Sequence, residues 1–134
     1  MSRRKARELA FKVLFQVDQV DADPRQAFIY LLEDTNLAQK DRAFSWELIE
    51  GCIDNLNQID EKISSYSWEW SVTRMATVDR NIMRIAGYEI LYMDDSQRVV
   101  AIDEAIEIAK KYGDSGSPSF INAILDRMLG DEQP

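Results

Sequence analysis

Apolar residues recur every third or fourth position along almost the whole chain, and no stretch alternates apolar and polar residues with period two. A helix buries one stripe at a period of 3.6 residues and a strand buries one face at a period of two, so the pattern admits helices and leaves no strand from which to build a sheet. The fold expected is all-α, a bundle of about seven helices. At 134 residues the chain suits one domain whose core needs neither disulfide nor metal.

The stretch VVAIDEAIEIAKKYG, Val99 to Gly113, is the clearest case. Ile102, Ala105, Ile106, Ala109 and Tyr112 share a face, acids lie early and Lys110 and Lys111 late, and Gly113 supplies the stop. A first helix is expected from a cap at Ser2 to about Val20, burying Ala6, Leu9, Ala10, Val13, Leu14, Val17 and Val20. Asp23 and Pro24 start a second, to about Asp34. Lys40 to Tyr66 is the longest periodic stretch, with Ala43, Trp46, Ile49, Ile53, Leu56, Ile59 and Ile63 on its apolar side, and Gly51, Asn55 and Asn57 mark a kink or break. Residues 64–73, SSYSWEWSVT, read as a joint in which Tyr66, Trp68 and Trp70 pack. Stacking of these rings on unpaired bases is the alternative.

Thr77 caps a further helix from Val78 to about Met93, with Val78, Ile82, Ile85, Ala86, Tyr92 and Met93 as core and Glu89 in the middle of that stripe. A buried carboxylate is costly unless hydrogen-bonded or paired, so Glu89 is expected to accept from a helix start or a basic side chain. Ser117 and Pro118 begin the last helix, which buries Phe120, Ile121, Ile124 and Met128, ends at Gly130 and leaves a frayed tail.

Charge is unevenly placed. Through Lys12 the chain has five basic residues and one acid, a formal +4 in a chain of net charge -8. Acids beyond a Debye length of about 8 Å are screened, so Arg3, Arg4, Lys5 and Arg7 form a local cationic arm on an otherwise acidic protein. On the same helix Phe11 and Phe15 make a second apolar stripe opposite the core face. Either other helices sandwich it, or the two rings dock a partner.

The chain has no His, which removes Ser-His-Asp and Cys-His devices and His-ligated zinc, and it has no Gly-rich phosphate loop. It reads as a non-enzyme, with no catalytic, cofactor or metal site expected. Cys52, the lone cysteine, lies beside Ile49 and Ile53 and reads as a small core residue. It fits a reducing compartment, no signal peptide or membrane span is evident, and a cytoplasmic location is expected.

The arm RRKARELA (Arg3 to Ala10), the segment VDRNIMRIAGYEILY (Val78 to Tyr92), the helix from Val99 to Gly113 and the closing SFINAILDRM (Ser119 to Met128) resemble, in this order and spacing, the NusB family of bacterial transcription antitermination factors. The resemblance covers essentially the whole chain. It implies one domain of two small helical bundles, about 1–70 and 71–134. It further implies pairing with NusE, a small-subunit ribosomal protein, and binding of the heterodimer to single-stranded boxA of nascent ribosomal RNA transcripts. The assembly joins the elongating RNA polymerase and suppresses premature termination.

By the same resemblance Arg3, Arg4, Lys5 and Arg7 match the RNA-binding arm, and Arg84, Phe120 and Asn122 fall on the same RNA surface. Phe15 faces NusE, with Phe11 beside it on the stripe, and Asp79 pairs with a basic group of that partner. Val99 stands where a Lys is usual, with Arg98 to compensate, and the turn Asp114 to Pro118 departs from the family pattern. Two alternatives keep the fold: a self-associating module that buries the Phe11 and Phe15 surface across a homodimer, and a recruiting domain like the N-terminal part of ribosomal RNA cytosine methyltransferases. The chain ends before a cofactor-binding domain, so free-standing methylation is not expected.

Overall fold

The computed structural model describes residues 2–68 and 70–132. Among them are seven α-helices and no strand: α1 Ser2–Val20, α2 Pro24–Leu32, α3 Gln39–Asp54, α4 Leu56–Ser65, α5 Thr77–Tyr92, α6 Asp95–Tyr112 and α7 Ser117–Glu132, with a 3-10 turn at Val72–Arg74. The all-α expectation holds. α5 is the central element, packed against α1, α3, α4, α6 and α7, and one continuous apolar core runs through both halves of the chain.

Local chemistry sets the helix ends. α1 stops with Asp21 in the left-handed region at φ 56° and its N–H donating to Val17 O at 3.1 Å, an αL cap. Two residues on, Asp23 caps α2 by accepting from the Gln26 N–H at 2.9 Å, as its pairing with Pro24 predicts. α1 begins at Ser2 itself; the capping role expected of the Ser2 side chain lies outside what is described.

The long stretch does break, at Asn55, whose side chain donates to Gly51 O at 2.9 Å and closes α3. The break resets the helical phase. Phe44, Leu48, Ile49 and Cys52 are buried on α3 and Ile59 and Ile63 on α4, while Ala43 and Ile53 fall on the exposed side. Gly51 is a point of close approach, because a Cβ there would stand 2.2 Å from the Tyr88 ring of α5. Cys52 is core, its thiol donating to Arg84 O at 3.3 Å and pushed up in pKa by burial.

Three further expectations are corrected. α6 starts at Asp95, a turn before Val99; Val99 and Val100 are exposed, and Ala101 and Ile108 join the buried face. Tyr92 is exposed and stacks on Tyr88, with centroids 5.4 Å apart. α7 runs past Gly130 to Glu132, held by a hydrogen bond from the Tyr66 hydroxyl to Asp131. The tail expected to fray is thus helical as far as Glu132, and Gln133 and Pro134 lie outside the described residues.

The end of α1 is tied to α5 through Asp18. Arg80 donates to it at 2.6 and 2.7 Å, Asn81 at 2.8 Å and Arg84 at 3.1 Å. Burial alone would raise the Asp18 carboxyl, but these hydrogen bonds and the two guanidinium charges hold it below its ordinary value. A lowered carboxylate contributes stability above its unfolded pKa of about 3.9 and loses it as pH falls through the folded value. Asp18→Asn should therefore cost about 2 kcal/mol in urea unfolding at pH 7, and the difference from wild type should shrink below about pH 4.

Candidate nucleic-acid and protein interface

The first turn of α1 carries cations and no acid. That placement opposes the helix macrodipole, whose positive end lies here, and so costs local stability while making a favourable site for an anion. Neighbouring helices answer part of the charge. Arg4 donates to Glu104 at 2.8 and 3.1 Å while its side chain stays 45% exposed. Arg3 is 49% exposed, 3.8 Å from Asp41 and 3.9 Å from the Phe44 ring centroid. Lys5 is exposed and has no ion-pair partner among the described residues.

Arg7 does not belong to this surface. Its side chain is 3% exposed and makes a bidentate bond to Glu89, at 2.9 and 2.8 Å, with Glu104 a further 3.7 Å away. The basic side chain expected to satisfy Glu89 is thus Arg7 itself, and burying it there removes it from RNA contact. Burial pushes the Glu89 carboxyl up, and the hydrogen bonds and charge of Arg7 oppose the rise.

Arg84 is also committed. It donates twice to Asp60 at 2.8 Å and once to Asp18, with 11% of its side chain exposed. It clamps α1, α4 and α5 together, which leaves no free fork for a phosphate. Arg98 is half-buried and its Nε donates to Ile90 O at 2.9 Å, holding the start of α6 on the end of α5.

The second stripe of α1 splits into its two readings. Phe11 is buried, 5.3 Å from the Tyr112 ring, so it is sandwiched by α6 and is not a free docking residue. Phe15 is half-buried and lines an open groove of about 250 Å3 with Lys12, Gln16, Leu31, Val78 and Tyr112, and Phe11 forms the floor. Asp79 is buried at the start of α5, where it accepts from the Ser117 hydroxyl of α7 at 2.7 Å. Burial, with the charge of Asp114, raises its pKa against the Ser117 bond. It ties two helix starts together, and pairing with a partner is not its role in this arrangement.

Phe120 is half-buried and separates two surface depressions. One, of about 220 Å3, is walled by Tyr66, Trp68, Trp70 and Arg127. Trp68 and Trp70 do not fill the joint as expected; they are 85% and 46% exposed, with the Arg127 guanidinium 4.5 Å from the Trp68 ring. Asn122 is half-buried on the next part of α7. Phe120 lines a depression with Asp79 at the start of α5, whereas Arg7 of the arm pairs with Glu89 near its other end. Phe120 and the arm thus lie toward opposite ends of α5.

Sequence reasoning missed Glu104, Asp41 and Phe44. Glu104 had a signal, since it lies next to Ala105 on the buried side of α6, as Glu89 does on α5. No group of His, Cys, Asp and Glu able to hold a metal occurs among the described residues, and no helix is long and apolar enough to cross a membrane.

An all-helical protein with a cationic helix end and an apolar groove farther along the same helix is a binding protein in its architecture. The chain belongs to the NusB family, whose model matches residues 4–130. It is 65% identical over 132 residues to the transcription antitermination protein NusB of Syntrophomonas wolfei subsp. wolfei, covering 98% of each chain. The solved NusB of T. maritima is 42% identical, with a TM-score of 0.89, over 98% of this chain and 93% of that one. A NusB solved as "antitermination factors NusB and NusE in complex with dsRNA" has the same fold, with a TM-score of 0.89 at 23% identity over 97% of each chain.

Proposed function

We propose that this chain is a non-catalytic, cytoplasmic transcription antitermination factor that pairs with NusE, binds single-stranded boxA of nascent ribosomal RNA and joins the elongating RNA polymerase. The observation that carries the reading is the arrangement along α1. Arg3, Arg4 and Lys5 are exposed at its tip, and the Phe15 groove opens about 15 Å farther on. A partner seated in the groove would lie beside RNA held at the tip. Family membership and close likeness to antitermination proteins support the same reading. Division into subdomains at about residue 70 is part of the proposal, supported by the packing of α1 on α2 and α3 and of α5, α6 and α7 on one another, with α4 seated mainly on α5.

Titrating labelled boxA RNA with the chain, with NusE and with both tests this. Strong binding is expected only with both. Phe15→Asp should weaken NusE binding and leave helicity and melting nearly unchanged, because Phe15 is half-buried at a groove edge. A stable homodimer through the same groove that NusE does not dissociate would favour the self-associating module instead.

A further inference from the structure

Arg3 is held differently from Arg4 and Lys5. Its guanidinium carbon lies 3.9 Å from the centroid of the Phe44 ring, and its Nε stands 3.8 Å from Asp41 Oδ1. Asp41 and Phe44 are three residues apart on α3 and so share a face, and both are buried. The Asp41 carboxylate receives no hydrogen bond, a costly state for a buried charge. Arg3 answers it with an ion pair, and that attraction draws the guanidinium down over Phe44. Arg7, 5.1 Å from the same ring centroid, closes a second side. Half of the Arg3 side chain remains open to solvent.

The guanidinium therefore lies within contact distance of an aromatic ring while about half of the side chain stays accessible. A guanidinium plane is a surface on which an unpaired base stacks, whereas an ammonium offers charge without a plane. We infer that Phe44 and Asp41 are positioning residues that hold Arg3 so that an unpaired nucleobase of the bound RNA stacks on its outer face. The result is three layers: Phe44, Arg3 and base. Arg4 and Lys5, which have no ring beneath them among the described residues, serve phosphates. The inference rests on the RNA reading above.

The test uses labelled boxA RNA, intact or with one base removed at each position in turn, bound by the complex of this chain with NusE. With the wild-type chain, one abasic position should weaken binding about tenfold, the effect of losing one stacked base. In Arg3→Lys, which keeps the charge, the same abasic position should have no further effect, and the salt dependence with intact RNA should match wild type. Phe44→Leu should behave likewise, and Asp41→Asn should show part of the loss. Because Arg3 is at the surface, Arg3→Lys reads the coupling even where Phe44→Leu lowers the melting temperature. Equal abasic effects in wild type and Arg3→Lys at every position would overturn the stack and leave the RNA reading standing. No binding by the wild-type complex would overturn both.

Discussion

Arg7→Ala should destabilise the protein by about 3–5 kcal/mol, because it leaves Glu89 as an uncompensated charge in the core. The pair bridges α1 and α5 through two bonds of 2.9 and 2.8 Å, with side chains 3% and 0% exposed. For a chain of this length the melting temperature should fall by about 10 °C or more. Arg7→Met combined with Glu89→Leu should recover most of the loss, since replacing both partners with apolar groups removes the desolvation penalty with the attraction. Urea unfolding of the three variants measures this directly. A loss under about 1 kcal/mol for Arg7→Ala, the scale of an exposed ion pair, would return Arg7 to the exposed arm.

That pair also shows how far the sequence carried the fold and the site. Glu89 announced a partner because a carboxylate in the middle of an apolar stripe must have one. Arg7 carried the matching signal: four residues before Phe11 and seven before Leu14, it is in phase with buried positions of α1. Reading it together with Arg3 and Arg4 by charge alone hid that phase. Helix identities were legible because they follow from local periodicity, and the cap at Asp23 follows from two adjacent residues.

What was not legible depended on contacts distant in the chain. The Asp18 cluster joins residues more than sixty apart, and Asp18 itself has no unusual neighbours in sequence. Gly51 looked like a weak point in a helix, and only the approach of Tyr88 gives it a reason. The exposed Trp68 and Trp70 ran against the general rule for large apolar side chains, which predicts packing. Glu104 read as an acid favourable near a helix start, while its position over α1 makes it the anchor for Arg4.

The arm carries the second large effect. Glu104 and Asp41 already face Arg4 and Arg3, so their carboxylates offset part of the arm's charge, and the formal +4 of the sequence overstates the field that RNA meets. Replacing Arg3, Arg4 and Lys5 together with alanine should nevertheless weaken boxA binding by the NusE complex roughly 10- to 100-fold at moderate salt, because two phosphate contacts and the Arg3 stack are lost. Arg3 and Arg4 face the buried Asp41 and Glu104 carboxylates, so the triple variant should also lose stability, and binding is compared well below its melting temperature.

The most direct test of RNA binding at this helix end is the slope of log affinity against log salt for the wild-type and triple-alanine complexes. The slope should become shallower by about 1.4, from about 0.7 for each of the two phosphate contacts, those of Arg4 and Lys5, removed on a single strand. An unchanged slope would mean that RNA does not bind at the tip of α1.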